Sequence, residues 1–414
     1  MRGRHLSLAA VIALAAIASF IGCDCGTSTL SPPLPPLSSV TVTPTTDTLV
    51  VGQQRLFTAV ARDTDSVVVA GAGFAWSSSD AGVITVSTSG RVTAAGEGVA
   101  LLIAAAGGKS DTATVAVYVQ PGWYTQPSGT TNDLNGVFFQ SNGRDGWAVG
   151  DAGTIVHTDD AGATWGAQPS STAFNLNDIW FTTDVTGFAV GHGGTVMRTR
   201  NAGRSWARLT NVAASENFYG VCFADTSHGW AVGSNGVTLR TGDGGKSWTK
   251  LYPTAFQLNS VSFSDTTNGW AVGEGGVIAG THDGGRSWYL VQPAITAVPI
   301  RAVWRVSNEM AWAGGLQGVN PVAAATPDSL AWTLGTFGAT NHVSGLQMLD
   351  GNVGYAVGTN GTGLVLKTLT GGVAWSPQIS NTAQALNDVW FVDGLRGWAV
   401  GVTGRIIHTA KGGI

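Results

Sequence analysis

Four short stretches set a carboxylate, or its amide, among hydroxyls, glycine and tryptophan at fixed spacing. They run Thr158-Asp-Asp160-Ala-Gly-Ala-Thr-Trp165, Thr199-Arg-Asn201-Ala-Gly-Arg-Ser-Trp206, Thr241-Gly-Asp243-Gly-Gly-Lys-Ser-Trp248 and Thr281-His-Asp283-Gly-Gly-Arg-Ser-Trp288. An acid so placed can cap backbone N–H groups, hold a cation or share in acid–base chemistry. Calcium wants about six to eight oxygens and glycoside cleavage a pair of acids. Each motif places at most one carboxylate at its third position, so capping is expected, with glycine at positive φ and the tryptophan laid against a sheet. No other chemistry stands out. Tyr219, Tyr252 and Tyr355 have no motif around them, and His157, His192, His228, His282 and His408 fall in turns or strand ends, where surface positions are expected. There is no Ser/His/Asp order, metal-type histidine spacing or phosphate loop, so neither catalysis, metal nor cofactor is expected. Cys222 lies alone in an apolar run, as a buried inert thiol would.

The motifs belong to a longer phrase. Gly146-Trp-Ala-Val-Gly150 returns at 187–191, 229–233, 269–273, 310–314 (as Met-Ala-Trp-Ala-Gly), 354–358 and 397–401, with steps of 40 to 43 residues between the aromatic positions. A period near 40 with several short strands per unit marks a β-propeller with one blade per unit. One unit reads as strands at 176–181, 187–191 and 195–199, then the acid-bearing turn and a fourth strand to Leu209. Gly-x-x-Gly hairpins join the second and third strands, and their glycines are expected to supply φ > 0. The equivalent turn has Thr370 in the acid's place in the sixth unit and Lys411 in the seventh, and the fifth, at 325–332, has lost the motif. The seventh unit stops before a fourth strand, while an orphan Gly122-Trp-Tyr-Thr-Gln-Pro127 precedes the first unit. Trp123 is 42 residues before Trp165, so residues 121–127 should close the last blade. The expected fold is all-β: an immunoglobulin-like β-sandwich followed by a seven-bladed β-propeller over 120–414. Charged residues make up only 11% of the chain and glycines number 59, which suits many tight turns. With net charge −4 and no basic stripe, nucleic acid is not an expected partner.

The N-terminus reads differently. Arg2, Arg4 and His5 precede an apolar run from Leu6 to Ile21, too short to span a bilayer but right for an export signal over 1–22. Ser19-Phe-Ile-Gly-Cys23 resembles the bacterial lipobox, which implies cleavage before Cys23, lipidation there and a membrane-anchored lipoprotein on the periplasmic or extracellular side. Residues 23–37 form a proline-rich tether. Residues 38–119 show short alternating strands broken by turns. Leu49-Val-Val-Gly52, Phe74-Ala-Trp-Ser-Ser78, Gly90-Arg-Val-Thr-Ala94 and Gly96-Glu-Gly-Val-Ala100 resemble the bacterial group 2 immunoglobulin-like domain. That resemblance implies Trp76 between two sheets and turns at Gly52 and Gly90.

The turn motif resembles the Asp-box, with Asp160, Asn201, Asp243, Asp283 and their tryptophans in structural roles. Together with the Gly-Trp-Ala-Val-Gly strand it is similar to the Ycf48 family of photosystem II assembly factors, which implies a seven-bladed platform that binds protein. Asp-boxes also occur in sialidases, so carbohydrate binding or glycoside hydrolysis is the alternative. The Arg-Ile-Pro signature that opens the first repeat of sialidases is replaced here by Trp123-Tyr-Thr-Gln-Pro127. The expected function is non-catalytic presentation of the propeller to one or more envelope proteins, with glycans as the other candidate partner. In a propeller, the hairpins between second and third strands share one face. Asp151, His192, Ser234, Glu274 and Thr359 vary there while their flanking glycines persist, so they form the candidate binding face.

Overall fold

The computed structural model describes residues 35–118, 122–212, 215–292, 294–325, 330–338 and 340–413. The export signal, Cys23 and the tether as far as residue 34 lie outside the described residues, as does part of the turn at 325–332. Among the described residues no helix is long and apolar enough to cross a membrane.

Residues Leu37 to Tyr118 form nine strands about one core. Thr46–Val50, Lys109–Tyr118, Gly98–Ala106 and Ala75–Ser78 make a four-stranded sheet, and its first pair is parallel. Gln54–Leu56, Arg91–Ala94 and Ile84–Val86 make a three-stranded sheet, and Leu37–Thr43 pairs with Thr58–Asp63. Val42, Phe57, Ile84, Val92, Leu102 and Val115 fill the space between them, with half-buried Trp76 packed alongside. At Gly90, φ is +80°, and a Cβ would meet both Phe57 O and the Trp76 ring.

From Tyr124 onward the chain forms seven four-stranded antiparallel sheets. In blade 2 the strands run Leu176–Phe181, Gly187–Gly191, Thr195–Thr199 and Ala207–Arg208. The innermost strands touch in sequence, and Leu134–Phe139 of blade 1 also touches Leu386–Phe391 of blade 7, so the ring is closed. The outer strand of blade 7 is Tyr124–Gln126, with Thr125 opposite Ile407. Blade 5 replaces the acid-bearing turn with two longer strands, Val319–Ala325 and Leu330–Thr336.

Aromatic rings hold the blades together. Where the next blade's inner strand ends in phenylalanine, the ring of the Gly-Trp-Ala-Val-Gly phrase or its variant stacks on it. Trp147 lies 3.8 Å from Phe181, Trp230 3.5 Å from Phe263, and Trp398 3.6 Å from Phe139. The box tryptophan then meets that phenylalanine edge-on, as Trp165 meets Phe139 and Trp288 meets Phe263. Glycine opens the phrase because a Cβ at Gly146 would overlap the Phe139 ring.

Two expectations are corrected. The first glycine of each hairpin is not there for its φ: Gly150, Gly233 and Gly273 are extended, near −170°. It is there because a Cβ would overlap a carbonyl oxygen, Asp133 O at Gly150 and Asn217 O at Gly233. Positive φ falls on the next-to-last and last tip residues, such as Ala152 (53°) and Gly153 (71°). The second correction concerns His408, which is only 6% exposed. It stacks on Trp398 and shares a 2.6 Å hydrogen bond with Tyr124 Oη. Burial holds its pKa down at about 3, so it is neutral.

Candidate functional site

The acid-bearing turns are closed by their own side chains. Thr158 Oγ1 donates to Asp160 Oδ1 and accepts from Gly162 N at 2.8 Å. Asp160 Oδ1 accepts from Thr164 N, and Oδ2 from the Thr164 hydroxyl. Asp243 and Asp283 repeat this set with Ser247 and Ser287. The Ser247 hydroxyl and N–H bring the Asp243 pKa down to about 2. At Asn201 the last bond reverses, and Nδ2 donates to Ser205 Oγ at 2.9 Å. The turns also receive the neighbouring blade: Trp230 Nε1 donates to Gly284 O and Trp398 Nε1 to Ala161 O. The carboxylates are occupied by N–H groups and hydroxyls of their own turns, and among the described residues no three metal-ligating side chains gather.

The hairpin tips share one face, around the mouth of the central channel. Most tips are held by their own blade's lead-in loop, and those of blades 1, 2 and 7 from the following blade as well. Asp151 N, His192 N, Ser234 N and Glu274 N donate to carbonyls of their own blade's lead-in loop, at 2.8–2.9 Å. The following blade's lead-in loop caps the tip: Ala152 N reaches Asn175 Oδ1, Gly193 N reaches Asn217 Oδ1, and Thr403 N of blade 7 reaches Asp133 Oδ1 of blade 1. Asp151, His192, Ser234, Glu274 and Thr359 are all half-buried here. They are not free of partners. Asp151 accepts from Asn135 Nδ2 at 3.0 Å, Glu274 pairs with Arg301 at 2.7 Å, Ser234 Oγ accepts from Asn217 N, and Thr359 Oγ1 from Gly361 N. The rings of His192 and Tyr219 lie 6.1 Å apart.

Below the mouth the channel holds a cavity of about 120 Å³ lined by all seven inner strands. Its walls join blade to blade through side chains that sequence reasoning passed over. Asn135, Asn177, Asn259 and Asn387 donate to the next blade's Leu176 O, Phe218 O, Ile300 O and Leu134 O. Asp178 accepts from Val221 N at 2.7 Å and Asp388 from Val137 N at 2.9 Å. Burial raises both carboxyls, Asp388 to about 6, and the nearby Asp388 raises Asp178 further. Phe138, Trp180, Trp304 and Trp390 crowd together farther down, with Phe138 and Trp390 4.5 Å apart and Trp180 and Trp390 5.4 Å apart. The signal was present: Leu-Asn-x-Val/Ile opens the inner strand at 134, 176, 258 and 386.

The family model described as "Photosynthesis system II assembly factor YCF48" matches residues 123–200 and 199–299. The propeller is Ycf48-like. YCF48 from Cyanidioschyzon merolae is 19% identical, with TM-score 0.58, over 70% of this chain and 98% of that one. A structure described as YCF48 bound to D1 peptide is also 19% identical, with TM-score 0.59, over 71% and 98%. Virginiamycin B lyase from Staphylococcus aureus shares the ring at 13% identity and TM-score 0.59, over 70% and 99%. At such identities these likenesses show the fold alone. No curated protein matches the chain.

Proposed function

We propose that this chain is a non-catalytic protein-binding platform: an exported lipoprotein, anchored at Cys23, whose propeller is carried on an immunoglobulin-like spacer over 38–119. The observation that carries the binding role is the mouth face. In six blades the first tip N–H is held by the blade's own lead-in loop, while the residue that carries it varies: Asp151, His192, Ser234, Glu274, Leu316 and Val402. A rigid frame bearing varied side chains binds without paying for loop ordering. The peptide held by a solved YCF48 supports the kind of partner. Asp178 and Asp388 are occupied by backbone N–H groups of the next blade, which favours clamping over turnover.

The test is photocrosslinking in intact cells from a benzoylphenylalanine at 192, 274 or 359, against a control at 184 in the turn between the first two strands of blade 2. Discrete protein adducts from the mouth and none from the control are expected. Equal adducts from both, or none from the mouth, would remove the reading. Loss of lipid-analogue labelling in Cys23→Ser checks the anchor separately.

A further inference from the structure

The seven repeats serve as controls for one another on the mouth face. The residue two before the first buried side chain of each inner strand is Asn132, Phe174, Glu216, Phe256, Val298, Asn341 and Gln384 in turn. Only blades 2 and 4 place an aromatic ring there, and both rings stay about half exposed, Phe174 at 47% and Phe256 at 55%. Each lies over a tip whose middle residue is glycine: the nearest ring atom would be 3.0 Å from a Cβ on Gly193 and 3.1 Å from one on Gly275. Blades 1, 3, 5 and 7 carry Ala152, Asn235, Gln317 and Thr403 at that tip position. The glycines flatten the tip, the ring beds on it, and a fixed apolar surface results.

Blade 3, between them, adds Tyr252, 51% exposed. Its hydroxyl donates to Glu216, and Lys250 lies over its ring at 5.5 Å while pairing with Glu216 at 3.5 Å. Arg208 lies over Phe174, 5.5 Å from the ring centre, and donates to Gly193 O at 2.5 Å. Lys250 and Arg301 have carboxylate partners in Glu216 and Glu274; among the described residues Arg208 has none. The sector therefore combines immobilised aromatics with one uncompensated guanidinium, the residue types that dominate binding hot spots.

We propose that the blade 2–4 sector of the mouth, Phe174, Arg208, Tyr252 and Phe256, is the docking surface for an extended partner segment in which apolar side chains flank a carboxylate. Apolar groups of the segment lie on the two phenylalanines, and its carboxylate meets the exposed guanidinium of Arg208. This rests on the platform reading above and narrows it to three blades and one partner chemistry.

The probes are three fluorescein-labelled 12-residue peptides, alternating Leu with Asp, Lys or Ser, titrated by fluorescence anisotropy against the exported chain. The Leu/Asp peptide should bind at least about tenfold more tightly than Leu/Lys. Phe174→Ser with Phe256→Ser should weaken it by about tenfold or more, and Arg208→Gln by about fivefold. All three positions are exposed, so unchanged circular dichroism and melting are expected. Preference for Leu/Lys, no binding, binding unchanged in the variants, or oligosaccharide binding at these residues in place of peptide would each overturn the proposal. The two readings separate in the crosslinking experiment. Mouth adducts that persist in the Phe174→Ser/Phe256→Ser protein sink the sector and leave the platform, whereas wild-type protein without mouth adducts sinks the platform.

Discussion

Asp243 shows what a repeated acid does when it is not catalytic. It accepts from Thr241 Oγ1, Lys246 N, Ser247 N and Ser247 Oγ, closing the turn that holds the outer strand of blade 3. Removing the acceptor strands two N–H groups and two hydroxyls, so Asp243→Ala should cost about 1–2 kcal/mol in urea denaturation at pH 7. Asp243→Asn should cost less than half of that, because Asn201 already fills the same place with one bond reversed. The pH dependence separates the two variants. With its pKa lowered from 3.8 to about 2, Asp243 lends stability above pH 3.8 that is lost as pH falls through about 2. The asparagine form has nothing to titrate there, so its deficit should shrink between pH 4 and pH 2. Glycines divide just as sharply. A Cβ on Gly233 overlaps Asn217 O, while one on Gly166 meets nothing within 4 Å. Gly233→Ala should cost about 3 kcal/mol or more, or prevent folding, and Gly166→Ala should stay within about 0.5 kcal/mol. Comparable melting of these two variants would refute the overlap argument.

At the scale of elements, the inner strands carry both the ring's clamps and its one evident conflict. Asp178 fastens blade 2 to blade 3 and Asp388 fastens blade 7 to blade 1, yet the two carboxyls line the same cavity of about 120 Å³ on either side of blade 1, and Asp388 disfavours the charge on Asp178. Because the folded pKa of Asp388 is raised from 3.8 to about 6, its stabilising share is full below pH 3.8 and is lost as pH rises through 6. Asp388→Asn keeps an oxygen for Val137 N and discards the charge. The variant should match wild type near pH 4 and melt about 2–5 °C higher at pH 7.5 by calorimetry. An equal gain at both values would show that charge is not the cause. Neutral, buried His408 works oppositely, losing stability as pH falls from 6.5 toward 3, so the paired comparison is needed. These clamps mark where sequence reading reaches and where it stops. The blade is legible because Gly-Trp-Ala-Val-Gly recurs often enough to betray its period. His408 is not, because its burial comes from Tyr124, 284 residues away in the chain, and from Trp398 on the adjacent strand. The Leu-Asn-x-Val/Ile clamp was visible as a repeat, but its meaning needs the neighbouring blade's carbonyl. Phe174 and Phe256 look like ordinary loop residues until the flattened tips beneath them are seen.

For the whole molecule, the decisive contact is the one that joins the two ends of the ring. Trp123 is fully buried, meets Phe391 edge-on at 5.6 Å and shares a core with Tyr355 and Ile407. It stands where the box tryptophans stand in blades 1 to 4, supplied by chain that precedes blade 1. Deleting residues 122–127 would uncover the edge of Arg405–Thr409 and empty a large aromatic site; loss of such a side chain alone costs about 3–5 kcal/mol. The deletion should therefore melt far below the parent and aggregate. The same six residues offer a stricter test. In blade 1, Trp165 follows Thr158 by seven positions. If 122–127 are attached after Ile414, Trp123 follows Thr409 by the same seven, and Gly413, at φ 77° with its N–H already on Thr409 Oγ1 at 2.8 Å, occupies the box glycine's place. That rearranged chain should recover cooperative melting within about 5 °C of the parent, because closure depends on the strand being present and not on which end provides it. Should it behave like the plain deletion, the linkage from residue 122 back toward the N-terminal unit, rather than strand pairing, would be what stabilises the ring.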